Sequence, residues 1–178
     1  YDSVSVIADA YLKGIRDYDA ELALKAMINS AEQDHLGMRH YKTLGYVPGE
    51  EESESVSKTL EYAYDDWCIA QMSKAMSDFE NYEKYSKRGL AYQHVFDPKS
   101  RFMRARIGSF WFSPFDPKEV NFNYTEANAW QYNFFVPQGI SGLIRFSGGE
   151  EAFSMKLDSI FQESSETTGR NQADITGL

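Results

Sequence analysis

One cysteine in 178 residues, Cys68, rules out an internal disulfide. It lies in an apolar helical pattern with no base or polar pocket near it in sequence, so it reads as a buried thiol, not a nucleophile. Long hydrophobic runs are missing too. No stretch approaches about 18 consecutive apolar residues, the length a membrane-spanning helix needs. Cations are scarce: 18 Lys and Arg against 27 Asp and Glu give a net charge of −9 and a pI near 4.8. Nucleic acid and anionic membrane surfaces both require clustered Lys and Arg, and neither is expected as a partner. No basic region followed by an apolar run marks a signal peptide. The chain enters a helical pattern almost at Tyr1 and stops at Leu178 without a tail composition, which reads as a segment of a larger domain.

Several catalytic signatures are also lacking. There is no Gly-rich phosphate loop, H-E-x-x-H, paired C-x-x-C or G-x-S-x-G. The three histidines, His35, His40 and His94, have the wrong spacing for a zinc pair on a helix. No repeat of fixed period appears, which excludes tetratricopeptide-type arrays.

What is present is helical periodicity, carboxylates and aromatics. Residues 4–35 read as helix with a break near Asp17 to Asp19, and 37–49 as a loop. Ser53 is the expected N-cap of one long helix running to about Lys87, with Val56, Leu60, Ala63, Trp67, Met72, Met76 and Phe79 on its core-facing stripe. Arg88 and Gly89 would end it, the cation in the last turn and Gly in the C′ position. Residues 92–117 read as a short extended excursion bracketed by Asp97-Pro98 and Asp116-Pro117. Thr125 is the expected N-cap of a helix from Glu126 to Phe135. Short helices over 140–146 and 150–161, separated by Gly148-Gly149, should follow, then a polar loop over 164–174. The fold class is mainly α, in helix pairs.

Aromatics make up 15% of the chain, which suits either a helical core or a surface on which sugar rings stack. Carboxylates beside aromatics are what hydrolysis of a glycosidic bond requires: one acid donates to the leaving oxygen, and a second carboxylate activates water or attacks the anomeric carbon. Burial against apolar walls raises the acid's pKa. Glu126, in Tyr124-Thr125-Glu126-Ala127-Asn128-Ala129-Trp130-Gln131-Tyr132, is the leading candidate, with Trp130 one turn further on. The competing reading is a first-turn Glu with a purely electrostatic role. The run Glu50, Glu51, Glu52, Glu54 reads as a solvated face or a helix start, Asp65 and Asp66 as structural hydrogen-bonding groups, and Glu54, Lys58 and Glu61 as surface pairs along one helix.

Taken together, Gly45-Tyr46-Val47-Pro48-Gly49, the stretch from Glu54 to Trp67, Phe96-Asp97-Pro98, Phe102-Met103-Arg104, Pro114-Phe115-Asp116-Pro117, Tyr124 to Tyr132, Phe135-Val136-Pro137 and Asp174 to Leu178 resemble glycoside hydrolase family 92, the calcium-dependent exo-α-mannosidases of bacteria. The resemblance covers nearly the whole chain. It implies part of an (α/α)6 toroid, with residues 1–178 a single incomplete segment that lacks the family's N-terminal β-sandwich and the C-terminal part of the toroid. It implies hydrolysis of terminal α-mannosides with inversion by the parent enzyme, and Glu126 as general acid. The base, an Asp, would lie beyond Leu178, as would the His-Gly-Asn-Glu motif that mainly holds calcium. No calcium ligand is assigned within the segment, which is not expected to bind the ion alone. Trp111, Trp130 and Gln131 are candidate substrate contacts for an α-mannoside glycan. Two local departures from the family pattern occur: Gln138-Gly139 stands where many members have His-Asp, and Ile107-Gly108-Ser109-Phe110-Trp111 where the family tends to Asp-Gly-Ser-Trp. The implied home is periplasmic or secreted. The alternative for the segment by itself is a catalytically inactive helical fragment, or an interaction module that self-associates through uncovered apolar helix faces.

Overall fold

The computed structural model describes residues 3–170. The chain is mainly α, as expected. Helices α1 (Ser3–Leu12) and α2 (Ala20–Glu32) flank the anticipated break. Asp19 caps α2, its carboxylate accepting the Leu22 N–H at 2.9 Å. The segment read as a loop over 37–49 instead contains a short helix, α3 (Met38–Leu44), which buries Met38 and Tyr41. Two buried positions are too few to register as a period, and the flanking Gly37 and Gly45 dominate the sequence signal.

The expected long helix is two helices. The first, α4 (Ser55–Ala75), is separated from α5 (Phe79–Arg88) by a turn in which Ser77 takes φ +64 and Asp78 caps the new helix by accepting the Asn81 N–H at 3.2 Å. Phe79, placed on the core stripe by periodicity, is therefore re-aimed and is 62% exposed. Gly89 follows α5 with φ −58, a right-handed conformation and not the left-handed one usual at C′.

Helix α4 is the spine of the molecule. It has 14 buried residues out of 21, so it is covered nearly all round and not along one stripe. Val56 and Leu60 enter a core with Tyr92, Met103, Trp130 and Leu143; Tyr62 and Ala63 enter a second with Met38 and Tyr41; Cys68, Ile69 and Met72 enter a third with Val4, Met27 and Tyr85. Each large apolar side chain so buried contributes about 1.5–3 kcal/mol. Burial pushes the Cys68 thiol up to about 12, which fits the inert buried thiol expected. Asp66, fully buried, accepts from Tyr41 Oη at 2.7 Å and Arg88 Nε at 2.9 Å, and Arg88 also reaches Glu32 at 2.8 Å. One guanidinium thus ties α2, α4 and α5 together.

After a 3-10 turn (Ala91–His94), the chain forms small ribbons where an extended excursion was expected. Strand β1 (Phe96–Asp97) pairs antiparallel with β2 (Phe102–Met103), and β3 (Arg106–Ile107) with β4 (Phe110–Trp111). Arg104 braces the region, donating to Asp97 Oδ2 at 2.9 Å and to the Phe112 carbonyl. Then come β5 (Glu119–Val120), α6 (Ala129–Tyr132), α7 (Ile140–Phe146) and α8 (Glu150–Ile160). Gly148 and Gly149, both near φ +100, make the expected break between the last two. The polar stretch after α8 is not all loop: β6 (Thr168–Gly169) pairs parallel with β5. Tyr1 and the motif Asp174 to Leu178 lie outside the described residues.

Candidate active site

Glu126 lies in the turn between β5 and α6, and its side chain is exposed. It is not in the first turn of a helix. Helix α6 begins three residues later, capped by Asn128 and not Thr125. Asn128 Oδ1 accepts the Gln131 N–H at 3.3 Å, and Gln131 Oε1 accepts the Asn128 N–H at 3.0 Å. This reciprocal box was visible in the sequence as Asn followed three residues on by Gln, a better capping pair than Thr125 with Asn128. Its consequence is functional. A carboxylate ahead of the cap is not there to favour the helix dipole, so the electrostatic reading of Glu126 loses its basis.

The backbone at Glu126 is the second observation. Its φ is +48, a left-handed conformation that costs an L-residue with a Cβ about 1–2 kcal/mol. Outliers of this kind persist only where surrounding contacts over-determine them, and they cluster at functional sites.

Those contacts come mainly from the start of α4. Helix α4 has no side-chain cap at its N-terminus; Ser53 does not serve, and Glu54 stands in the cap position with φ +58. The Glu54 N–H donates to the Phe122 carbonyl at 2.5 Å, and the Val56 N–H to the Asn123 carbonyl at 3.0 Å. Ser55 Oγ reaches Asn123 Oδ1 at 3.3 Å. Amides that a helix start leaves without partners are thus satisfied by the turn that carries Glu126. One turn into α4, fully buried Ser57 accepts the Thr125 N–H at 2.9 Å. On the other side of Glu126, Ala127 and Asn128 are buried.

Beside this junction lies a carboxylate that sequence reading treated only as a surface pair. Glu61, one turn beyond Ser57 on α4, accepts from Tyr132 Oη at 3.2 Å. Burial pushes this phenol above the usual tyrosine range, and the Glu61 carboxylate adds to the push. Of the expected spaced pairs, Lys58 meets Glu54 at 3.9 Å, and it also reaches Glu52 at 2.7 Å. The spacing that suggested surface pairs hid a face directed at residues 125–132.

The other candidate contacts fall in different surroundings. Trp130 is 7% exposed and meets the Phe102 ring edge-on at 4.8 Å, inside the core. Gln131 is exposed and carries one half of the capping box. Trp111 is half-buried on the β3–β4 hairpin, with the Arg106 guanidinium 5.4 Å from its ring. The hairpin is clamped near the turn that holds Glu126: Glu50 Oε1 accepts the Gly108 N–H at 2.6 Å, and Tyr46 Oη donates to the Gly108 carbonyl at 2.9 Å. Gly49 permits this approach, since a Cβ there would stand 3.0 Å from both Ile107 Cδ1 and Asn123 Oδ1. Among the described residues no three His, Cys, Asp or Glu side chains gather as a metal site.

The fold recurs in known proteins. The family model for the glycosyl hydrolase family 92 catalytic domain matches residues 1–177. The chain belongs to that family. A family 92 α-mannosidase of Bacteroides thetaiotaomicron superposes with a TM-score of 0.88 at 40% identity, covering 92% of this chain and 22% of that one. Its complex with mannoimidazole gives a TM-score of 0.89 at 37% identity over 94% of this chain and 23% of that one. A second enzyme of that organism, described as an inverting mannosidase, matches at 0.87 and 34% identity, over 94% and 24%. A secreted glycosidase of the fungus Arthroderma benhamiae, otherwise uncharacterized, is 28% identical over 86% of this chain and 25% of its own length. The chain thus spans about a quarter of the length of these relatives. Its helix pairs are those of part of a family 92 catalytic domain, consistent with an (α/α)6 toroid.

Proposed function

We propose that the protein of which this chain is a part hydrolyses terminal α-mannosidic bonds with inversion, and that Glu126 is its general acid. The observation that carries the proposal is Glu126 itself: an exposed carboxylate with left-handed backbone, ahead of a helix cap, on a turn hydrogen-bonded to the buried helix α4. A group that donates a proton to a leaving oxygen needs access to the substrate and a fixed position, and the turn supplies both. In the step, the Glu126 proton passes to the glycosidic oxygen as its bond to the anomeric carbon breaks. A water molecule attacks the opposite face and gives its proton to a base, an Asp outside this segment. The two carboxyls would stand roughly 6.5–9.5 Å apart, leaving room for the water.

The substrate class is supported by the mannosidase relatives and the mannoimidazole complex of one of them. An extracellular location is supported by the relative named as secreted. No helix among the described residues is long and apolar enough to cross a membrane. Calcium belongs to the proposal only as a cofactor of the whole enzyme. No calcium ligand is assigned among the described residues, and no step above is assigned to the ion.

The test is Glu126→Gln in the full-length enzyme. Hydrolysis of a mannobiose should fall by about 10²–10⁴-fold, the usual contribution of a general acid, with a smaller loss on an aryl mannoside whose leaving group needs no protonation. Unchanged turnover of mannobiose would sink the proposal. A second reading concerns the isolated segment. Val6, Leu22, Phe79 and Phe161 are each more than 60% exposed, and such apolar surface favours association. Sedimentation of the isolated chain should show self-association, and a stable monomer would overturn that reading.

A further inference from the structure

The turn carrying Glu126 is held from one side by a buried hydroxyl on a different helix, and that contact has a role beyond packing. We propose that Ser57 is a positioning residue for the acid, acting through the Thr125–Glu126 peptide, with Tyr132 and Glu61 as its support. The inference rests on the reading of Glu126 as the general acid.

Three observations converge on it. First, Ser57 is fully buried, and its Oγ accepts the Thr125 N–H at 2.9 Å, immediately upstream of the residue with φ +48. A backbone conformation that is unfavourable for Glu is retained only if its flanks are fixed. The downstream flank is fixed by the buried Asn128 and its capping box, and the upstream flank by this bond. Second, Ser57 does not act alone. Tyr132 Oη, on the helix that follows the turn, donates to Glu61 at 3.2 Å, one turn along α4 from Ser57. The tilted ring of Tyr132 lies 6.2 Å from that of Tyr124, so the phenol is held on the same unit as the turn. Third, Ser57 and Glu61 are four residues apart on α4 and share one face. Two thirds of that helix is buried, so the hydroxyl reaches the turn from a rigid base.

The group to which Ser57 is bonded is the Thr125 backbone amide and not the Glu126 carboxylate. Its effect should therefore be on where the carboxyl stands, not on whether it carries a proton. Loss of the bond frees the upstream flank. The carboxyl then wanders from the position it needs at the leaving oxygen, and displacements near 1 Å in such sites cost about 10²-fold.

The experiment uses the full-length enzyme and two substrates, a mannobiose and an activated aryl mannoside. Ser57→Ala should lower kcat on mannobiose by about 10²-fold and on the aryl mannoside by only a few-fold. Ser57→Thr, which keeps the acceptor, should restore most of the loss. Ser57→Ala added to Glu126→Gln should cost little more than Glu126→Gln alone, because the two act as one unit. Tyr132→Phe provides a milder arm should Ser57→Ala fail to fold. It keeps the ring and removes only the hydroxyl, and it should show the same leaving-group dependence in weaker form. Equal losses on both substrates for Ser57→Ala or Tyr132→Phe, with Glu126→Gln still selective, would overturn the positioning role and leave the acid in place. A Glu126→Gln variant without leaving-group selectivity would overturn both readings.

Discussion

Residues 3–88 and residues 89–170 are built on different principles. The first region is helix on helix, with an aliphatic and aromatic core and one buried guanidinium joining three helices. The second consists of two-residue ribbons and short helices held by side chains bonded to backbone, such as Arg104 to the Phe112 carbonyl, Ser57 to the Thr125 amide and Tyr124 Oη to the Met103 carbonyl at 2.7 Å. The candidate acid sits in the second region but is anchored on the first. Regular packing makes a stable platform, while irregular backbone can present one side chain at a chosen angle. The first region can tolerate lost volume only at large cost in stability. The second can lose a single hydrogen bond at little cost in stability and much in function.

The contrast is broken most severely at Arg88. Arg88→Met would leave the fully buried Asp66 carboxylate without its cation, and should destabilise the protein by about 3–5 kcal/mol in denaturant unfolding. A loss below about 1 kcal/mol would show that the three helices are held by apolar packing alone. A pH titration reaches the second region. Burial opposes ionisation of Asp97, but the nearby Ser100 hydroxyl, the hydrogen bonds from the Lys99 amide and Arg104, and the Arg104 charge outweigh burial and hold its carboxyl below the usual range. A depressed native value contributes stability that is present above the unfolded value of about 3.9 and is lost as pH falls through the native one. Asp97→Asn should flatten the acid limb of a stability profile below about pH 4; an unchanged limb would remove Asp97 from the account.

Glu126→Gly has a smaller effect of opposite sign. Glycine takes φ +48 without the Cβ penalty but loses more conformational freedom on folding. The balance should be a gain of about 0.5 kcal/mol in unfolding free energy together with loss of mannobiose hydrolysis. A clear loss of stability would mean that the side chain itself holds the turn. The smallest signal is chemical. Cys68, buried and with its thiol at about 12, should react with an alkylating reagent only as the helical region opens, so its labelling rate should follow the unfolding equilibrium. Rapid labelling under native conditions would contradict the burial.

The sequence reading is strongest where one period governs a whole element. Helices α1, α2, α7 and α8 fall where apolar spacing and capping residues put them, and the Gly148-Gly149 break was legible from glycine alone. It is weakest where tertiary contacts replace local signals. The split between α4 and α5 depends on Ser77 adopting φ +64, which no residue type announces. The start of α4 is satisfied by carbonyls of Phe122 and Asn123, so looking for a local cap at Ser53 was bound to fail. Trp130 was legible as an aromatic near the acid, but not as a side chain turned into the core against Phe102. The part of the site that was missed, Ser57 with Glu61 and Tyr132, joins residues far apart in sequence, and the Glu61–Lys58 spacing pointed instead to an ordinary surface pair. The resemblance placed Glu126; the structure added what holds it.

A helix that borrows its end from a distant turn also acquires a reporter. The amide hydrogens of Glu54 and Val56 are bonded to carbonyls just upstream of Glu126, so they can exchange with solvent only when that turn lifts away. Their deuterium uptake therefore clocks the opening of the acid turn without a probe on the acid itself. It would register a sugar that steadies the turn as slower exchange at two positions in the buried helix behind it.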